Sequence, residues 1–494
     1  MLRRSALRAQ LTALAGALFL AAGSAHAAPV APLSHHGRWI TDARGRVVIL
    51  HGLNMVDKLP PYRPATLGFG ADDARFLQGA GFDTVRVGII FKGLEPQPGQ
   101  FDGHYLASIA RTLRTLERHR IFPLVDFHQD MYNERYQGEG FPDWATIDDG
   151  LPAQPRQGFP TNYYVMPALS RAYDSFWANR AGPGGVGLQD RYAAAWAHVA
   201  HALRHDRRLV GYDIFNEPFP GSQLGTCASP PGCPAFDQQV LTPFTKRTFR
   251  AIRAADRRRL LWYEPLVTFD FGADTSHGDT GDARAGFTFH DYCLASQPGA
   301  PSGGSASQGA CDTAEGLTFS NADKESNRTG DALLLSEFGA TDDLTEIGRV
   351  VRLADKHMVS WQEWSYWNED VCCPRPIEGL VRDIHRAPRG SNVKRAKLLV
   401  LARPYPEAVA GSPVSYGFDT TRRRFKLTYS TRRIDGRRFR RRTITEVRIP
   451  RVQYPHGYRA TVAGARVHSG RGAPILRLLA RPRASRVTLT VVPR

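Results

Sequence analysis

Three things are scarce in this chain of 494 residues, and each scarcity closes a door. After residue 27 no stretch is apolar and long enough to span a bilayer as a helix, which argues against a helical membrane protein. The six cysteines contain no pair at CxxC spacing, so a zinc ribbon or finger is not expected. No GxGxxG follows either of the first two apolar runs, which disfavours a dinucleotide-binding fold. Lysine is also rare, eight residues among 65 basic ones, and net charge is missing from most of the chain. Residues 401–494 carry 22 basic against four acidic side chains, which is the whole excess of +18; residues 1–400 are neutral. An arginine-rich coding bias does not explain confinement to one end. A field this basic suits anionic surfaces, but no aromatic-interleaved motif accompanies it, so nucleic acid is not expected.

The first 27 residues read as a processing segment. Arg3, Arg4 and Arg8 precede the apolar run LTALAGALFLAAG, and Ala25-His26-Ala27 fits a small-residue cleavage site. The expectation is a secreted protein cleaved near Ala27. Cysteines in an exported chain suggest disulfides. Cys227 and Cys233 bracket one Pro/Gly loop, Cys293 and Cys311 flank another Gly-rich loop, and Cys372 and Cys373 are adjacent with open pairing.

Beyond that leader, short apolar runs recur at 47–55, 82–91, 121–130, 209–218, 260–266, 286–293, 332–340 and 357–367, with amphipathic segments between several of them. Continuous apolar runs suit strands buried on both faces. The segment 190–206 places Tyr192, Trp196, Val199 and Leu203 at helical spacing, and 104–120 does the same with Leu106, Ile109, Leu113 and Leu116. Eight such strands with helices between them predict a (β/α)8 TIM barrel over residues 28–400. Two connections, 131–190 and 294–331, are overlong and are expected on the active-site rim. From 401 to 494 the pattern changes to alternating strands with polar turns, a small antiparallel β-sandwich.

In such a barrel the chemistry sits where strands run out at their C-terminal ends. Those ends supply Asn54 and Lys58, then Arg86, Asp126 and His128, Asn216 and Glu217, Glu264, His290 and Tyr292, Glu337, and finally Trp364 and Trp367. The apolar stretch Gly-Tyr-Asp-Ile-Phe (211–215) is a strand that delivers Asn216 and Glu217 to its tip and is stopped by Pro218. Two carboxylates across a cleft, with aromatics to stack on sugar rings, are the equipment of glycoside hydrolysis. Arg86 beside Glu337 would hold it anionic as nucleophile, and Tyr292 would donate to it. Asn216 would bind the sugar 2-hydroxyl, leaving Glu217 as acid and then base. Neither metal nor cofactor is expected; Asp126 and His128 lack a third ligand at compatible spacing.

The motifs NEP (216–218) and SEFG (336–339) resemble those of retaining glycoside hydrolases of family 5. The resemblance implies Glu217 as acid/base and Glu337 as nucleophile. It places Arg86, His128, Asn216, His290, Tyr292 and a final-strand tryptophan at supporting positions. GLNMVDKLPPY (52–62), DFHQDMYNERY (126–136), GEGFPDWAT (138–146), HDYC (290–293) and RPYPEAVAG (403–411) are similar, in this order, to bacterial endoglycoceramidases. By that resemblance Lys58, Asp126 and His128 hold the sugar bordering ceramide, above a tryptophan from the eighth strand. Trp367 is the first choice and Trp364 the second, since WQEWSYW allows either register, and Trp177 is assigned to the same pocket. The implied activity is cleavage of the β-bond between glycan and ceramide, on glycosphingolipid in membranes or micelles, by a monomer. A β-glucosidase or endo-β-glucanase on the same barrel, or a catalytically inactive glycolipid-binding protein, are the alternatives. The arginines of 432–442 are expected on the cleft side, where they would meet an anionic membrane surface.

Overall fold

A computed structural model describes residues 29–227, 230–293, 305–369, 378–440 and 442–494. The leader and Cys372 and Cys373 lie outside the described residues. Eight parallel strands close into a barrel, and each lies on one of the eight apolar runs, the sixth starting one residue before its run. They are β1 (His51–Met55), β2 (Thr84–Ile90), β3 (Phe122–His128), β4 (Gly211–Asp213), β5 (Leu260–Tyr263), β6 (Ala285–Asp291), β7 (Ala332–Phe338) and β8 (Ser360–Glu363). Strand β8 pairs back onto β1, Trp361 opposite His51, which completes the closure. Every residue of these strands is buried, the burial on both faces that makes the runs read as unbroken apolar stretches. The helices Gly103–Arg118 and Leu188–Leu203 lay their expected stripes inward: Leu106, Ile109, Leu113 and Leu116 on the first, Tyr192, Trp196, Val199 and Leu203 on the second. Asp102 caps the first by accepting from the backbone N–H groups of His104 and Tyr105.

The C-terminal unit is built from two antiparallel sheets, but its boundary differs from the expected one. Residues 34–48 form three strands that extend the larger sheet, with Val47 and Val48 pairing onto Tyr405–Val409. The run 47–55 therefore holds two strands serving two units, with only Ile49 and Leu50 between them. Arg46, fully buried, ties the pieces together by bonding Asp42 on one side and Glu446 on the other. The same N-terminal strands plug the lower mouth of the barrel. Leu33, Ile40, Val48 and Leu50 pack against Phe122, Leu260, Trp262 and Ala332, residues at or near the N-terminal starts of β3, β5 and β7.

That plug settles where the basic segment lies. Arg433 packs over Gly45, in the turn that leads into Val47 and Val48. Arg433 and the hairpin it shares with Arg432 and Arg438 thus sit at the end of the barrel opposite the C-terminal strand tips. The expectation that these arginines share the side of the cleft is wrong, because the hairpin bearing them is tied to the N-terminal plug.

The overlong connections are not structureless. The first contains a helix, Pro167–Trp177, and short helical turns at Glu134–Tyr136, Asp143–Ala145 and Asn162–Val165. The second contains Ser305–Thr329, a 25-residue helix whose Gly- and Ser-rich start hid it. Cys227 is bonded to Cys233 and Cys293 to Cys311, each pair closing its loop.

Candidate active site

Strand β4 ends at Asp213, and the chain runs through Ile214 and Phe215 to Asn216 and Glu217. Glu217 adopts φ 46°, in the left-handed region that side chains avoid. The backbone is held there from both sides. Glu217 N–H donates to Glu264 Oε2 at 2.8 Å, and Gln129 Nε2 donates to the carbonyls of Asn216 and Glu217 at 2.9 and 3.3 Å. Pro218 prevents any further ladder pairing. A strained residue fixed by neighbours is what aims this carboxyl across the barrel mouth.

Opposite it, at the end of β7, stands Glu337. One carboxyl oxygen of each glutamate and a ring nitrogen of His290 all lie within 4.8 Å of one another. The two acids have unlike surroundings. Glu337 Oε1 accepts from the Tyr292 hydroxyl at 2.6 Å and its Oε2 from Arg86 at 3.1 Å. Among the described residues no arginine bonds Glu217; its Oε1 shares a 2.8 Å hydrogen bond with His290 Nδ1. Burial pushes Glu217 above the ordinary carboxyl range, and the charges of Glu337 and Asp130 add to that, against the pull of His290. Burial also keeps the Tyr292 hydroxyl protonated, reinforced by Glu337 beside it, so it remains a donor.

Arg86 is the hub beneath this pair. It is fully buried and spreads its planar fork over Asp213 (3.0 Å), Asn54 (3.3 Å), Glu337 (3.1 Å), Asn216 (3.0 Å) and Glu264 (2.9 Å), with Asp126 at 3.1 Å. Burial works against its charge, but Asp126, Asp213, Glu264 and Glu337 together outweigh that and raise its pKa. Glu264 is held below its usual range in return: burial resists, and His290 and Arg86 prevail. Asn216 is committed in the same network, its Oδ1 to Arg86 and its Nδ2 to the Gln129 carbonyl. Arg86 is thus a fully buried support of Glu337 rather than a lining of the sugar site. It touches carboxylates and amides only, and its role is to position them.

A second cluster adjoins the pair. Lys58 is only 5 % exposed; its ammonium bonds Asp130, comes within 3.6 Å of Glu139 and sits 4.6 Å above the ring of Trp364. The Trp364 ring stacks on His128 with centroids 5.1 Å apart, and its Nε1 donates to Glu378 at 3.1 Å. His128 Nδ1 bonds Asp126 at 2.9 Å and its Nε2 faces Asp130 at 3.5 Å. Burial opposes a charged His128, but its hydrogen bonds with Asp126 and Asp130 win and raise it to about 9. Burial also opposes the Asp130 charge, and Lys58 and His128 overcome it, holding Asp130 below its normal value.

Three expected sugar contacts change here. Asp126 is fully enclosed between Arg86 and His128, and Asp130, four residues on and past the strand end, takes the rim position beside Lys58. Trp364 follows β8 directly and meets Lys58 and His128, whereas Trp367 packs half-buried against the barrel core. Trp177 is not among the contacts of Lys58, His128 and Trp364: its ring packs on Phe215, Phe236 and Phe244, and its N–H donates to the Phe219 carbonyl at 2.7 Å. Sequence reading missed Gln129, Asp130 and Asp213, although DFHQD repeats polar residues at 126, 128 and 130 on one strand face. Glu264 is a support: it accepts from the Glu217 N–H and from Arg86.

Among the described residues three groups of metal-ligating atoms gather: His128–Asp130–Glu139, the Glu217–His290–Glu337 site and Cys311–Glu315–Glu346. The Lys58 ammonium already sits with Asp130 and Glu139 in the first, and Cys311 is spent in a disulfide.

Comparison with known proteins agrees with this geometry. The family description "Cellulase (glycosyl hydrolase family 5)" matches residues 42–370, and "Glycoside hydrolase family 5 C-terminal domain" matches 403–491. Endoglycoceramidase I of Rhodococcus hoagii is 31 % identical over 465 residues, covering 92 % of this chain and 87 % of the relative. An endoglycoceramidase of Cyanea nozakii is 27 % identical, covering 79 % of each chain. Among solved structures, endo-glycoceramidase II from Rhodococcus sp. as its lactosyl-enzyme intermediate superposes with TM-score 0.74 at 27 % identity, over 92 % of this chain and 99 % of that one. The same protein has been solved in complex with ganglioside GM3.

Proposed function

The chain belongs to glycoside hydrolase family 5, and from that premise we propose that it cuts the β-glycosidic bond between the glycan and the ceramide of glycosphingolipids, with retention. One observation carries the mechanism: two opposed glutamates within 4.8 Å, one held by Arg86 and Tyr292, the other pushed towards its neutral form by burial. Carboxyl pairs about 5–5.5 Å apart act by double displacement, whereas inverting pairs stand about 6.5–9.5 Å apart to admit a water. Glu337 attacks the anomeric carbon while Glu217 gives its proton to the ceramide oxygen, which leaves as the free alcohol. The glycan is then an ester of Glu337. Glu217, now ionised, takes a proton from water, whose oxygen displaces Glu337 from the anomeric carbon and restores the starting state. His290, between the two acids, re-tunes Glu217 for each half-reaction. Lys58, Asp130, His128 and Trp364 hold the sugar next to the lipid, and Asn216 meets its 2-hydroxyl. The endoglycoceramidase relatives along most of the chain support the lipid-linked substrate over a plain β-glucan.

The test is a panel of glucose- and galactose-linked glycosphingolipids with cellulose oligomers as control, reading intact glycan and ceramide as products. Initial release of the β-anomer, loss of turnover in Glu337→Gln, and formation of a β-glycosyl azide by Glu217→Ala in azide are expected. An α-anomer as first product, or hydrolysis of cellulose oligomers alone, would defeat the reading. Export by cleavage after Ala27 is proposed alongside it. Two closed disulfides support an oxidising compartment, and N-terminal sequencing of protein from the medium tests it.

A further inference from the structure

Large apolar side chains exposed by more than a third number nine among the described residues, and four of them fall within fifteen positions: Leu151, Phe159, Tyr164 and Val165. These belong to the connection between β3 and β4. Tyr164, at 63 %, is the most exposed large hydrophobic of the nine. Residues 151–166 contain a single charged side chain, Arg156, and no acid. Scattered single exposures are ordinary, but a concentrated, nearly uncharged patch on a chain this rich in arginine is not.

The strap carrying the patch is fastened from within. Asn162 accepts from the Gln157 N–H at 2.8 Å and donates to the Tyr136 carbonyl and to Gln137. Tyr163, between the exposed residues, turns inward: its oxygen accepts from Met131 N–H at 2.7 Å, and its ring packs 4.6 Å from Phe219. Phe219 lies two residues past Glu217. The strap's inner side is thus bolted to the loop of the acid/base, and its outer side is apolar. Glu217 serves the leaving group, so the strap borders the side from which ceramide departs.

We propose that this strap is an interfacial anchor. Phe159, Tyr164 and Val165 enter the boundary between headgroups and acyl chains of the membrane that holds the substrate, and bring the cleft down over the bond next to the lipid. The inference rests on the glycosphingolipid reading above. Lipid is the occupant the chemistry favours. The patch lacks the charges that a polar partner would need, a tyrosine leads it, and it is continuous with the site whose substrate is lipid-linked. The basic hairpin of Arg433, at the other end of the barrel, does not serve the same contact while the cleft faces the membrane.

The experiment compares wild type with Phe159→Ser/Tyr164→Ser/Val165→Ser on neutral phosphatidylcholine vesicles containing lactosylceramide, on lactosylceramide in detergent, and on a soluble aryl lactoside. Removing three apolar insertions should weaken vesicle flotation and vesicle turnover by at least about tenfold. The aryl lactoside should stay within about twofold of wild type, as expected for screened bulk chemistry. Wild-type flotation by the triple variant overturns the proposal. So does a wild type that fails to float but forms a dimer abolished by the three serines, which would put a second copy on the patch. If the variant loses all three activities together, Tyr164→Trp decides. Its added emission must be quenched by brominated lipid beyond the parent protein's, and equal quenching rejects the anchor. Failure of wild type to cut lactosylceramide in detergent would instead remove the functional reading, and flotation, which needs no turnover, still judges the strap.

Discussion

Replacing Arg86 by lysine keeps the charge and destroys the fork. Arginine's planar guanidinium reaches Asp213 through Nε, Asn54 and Glu337 through one terminal nitrogen, and Asn216 and Glu264 through the other. A lysine ammonium concentrates three donors on one atom and cannot span that set. Loss of two charge-assisted bonds at about 1.5–3 kcal/mol each gives a destabilisation of about 3–6 kcal/mol. That is large beside the roughly 5–15 kcal/mol that holds a typical domain. Arg86→Met goes further, leaving Asp126, Asp213, Glu264 and Glu337 without their cation, at a cost of about 3–5 kcal/mol or more. The sign with pH follows from linkage. In the methionine variant Asp213, which burial already raises, loses the Arg86 charge that opposes the shift, and Glu264 loses one of the cations that hold it low, so the penalty is absent below about pH 4 and grows as pH rises. Calorimetry from pH 4 to 8 should show the unfolding-temperature gap to wild type widening with pH, and kcat of the lysine variant should fall about a hundredfold or more. A lysine variant with wild-type melting and turnover, or a methionine gap independent of pH, would refute the assignment of Arg86 as the charge hub.

Trp364→Ala should raise KM and lower kcat/KM on glycolipid by at least about tenfold through the lost ring face beneath Lys58 and the sugar, whereas Trp367→Ala should stay within about threefold. Steady-state kinetics on both variants reverses the choice if Trp367 is the damaging one. Lys58→Ala and Asp130→Asn should each reduce kcat/KM by about tenfold or more, and the double variant should be little worse than either, since they act as one pair; full additivity would separate them. Asp126→Asn removes the carboxylate on His128 Nδ1, and NMR titration should show the imidazole pKa falling from about 9 towards 6.5. Because that pKa is raised in the fold, the stability it contributes is complete below about 6.5 and lost as pH rises through about 9, so the variant should lose this alkaline dependence.

All eight barrel strands were legible because parallel strands covered on both faces give near-continuous apolar runs rather than the in-and-out alternation of a half-solvated sheet. The same property hid the domain boundary. Val47, Val48, Ile49 and Leu50 are all buried, so nothing in hydropathy marks where the sandwich strand stops and β1 begins at His51. The paired glutamates were legible for the opposite reason: an acid at the tip of a buried strand has no structural use unless something meets it there. Their left-handed and charge-laden supports were not, since no residue-level signal says that Glu264 will bond the Glu217 N–H.

The misplaced contacts share one geometric cause. Strand parity tells which face a side chain takes, but Asp126, His128 and Asp130 all have the same parity. What separates them is depth, at about 3.3 Å per residue along the strand. Asp126 lies inside β3, level with Gly88 of β2, where it can only brace Arg86 and His128. Asp130 lies past the strand end, where it meets Lys58. Trp364 and Trp367 differ likewise: the first leaves β8 one residue after Glu363, and the second, three residues later, has already turned back onto the core. A support and a contact in this fold can be the same residue type on the same face, two pleat repeats apart. Removing the acid at 130 alone would therefore leave Asp126 bracing Arg86 and His128 and take away the partner of Lys58.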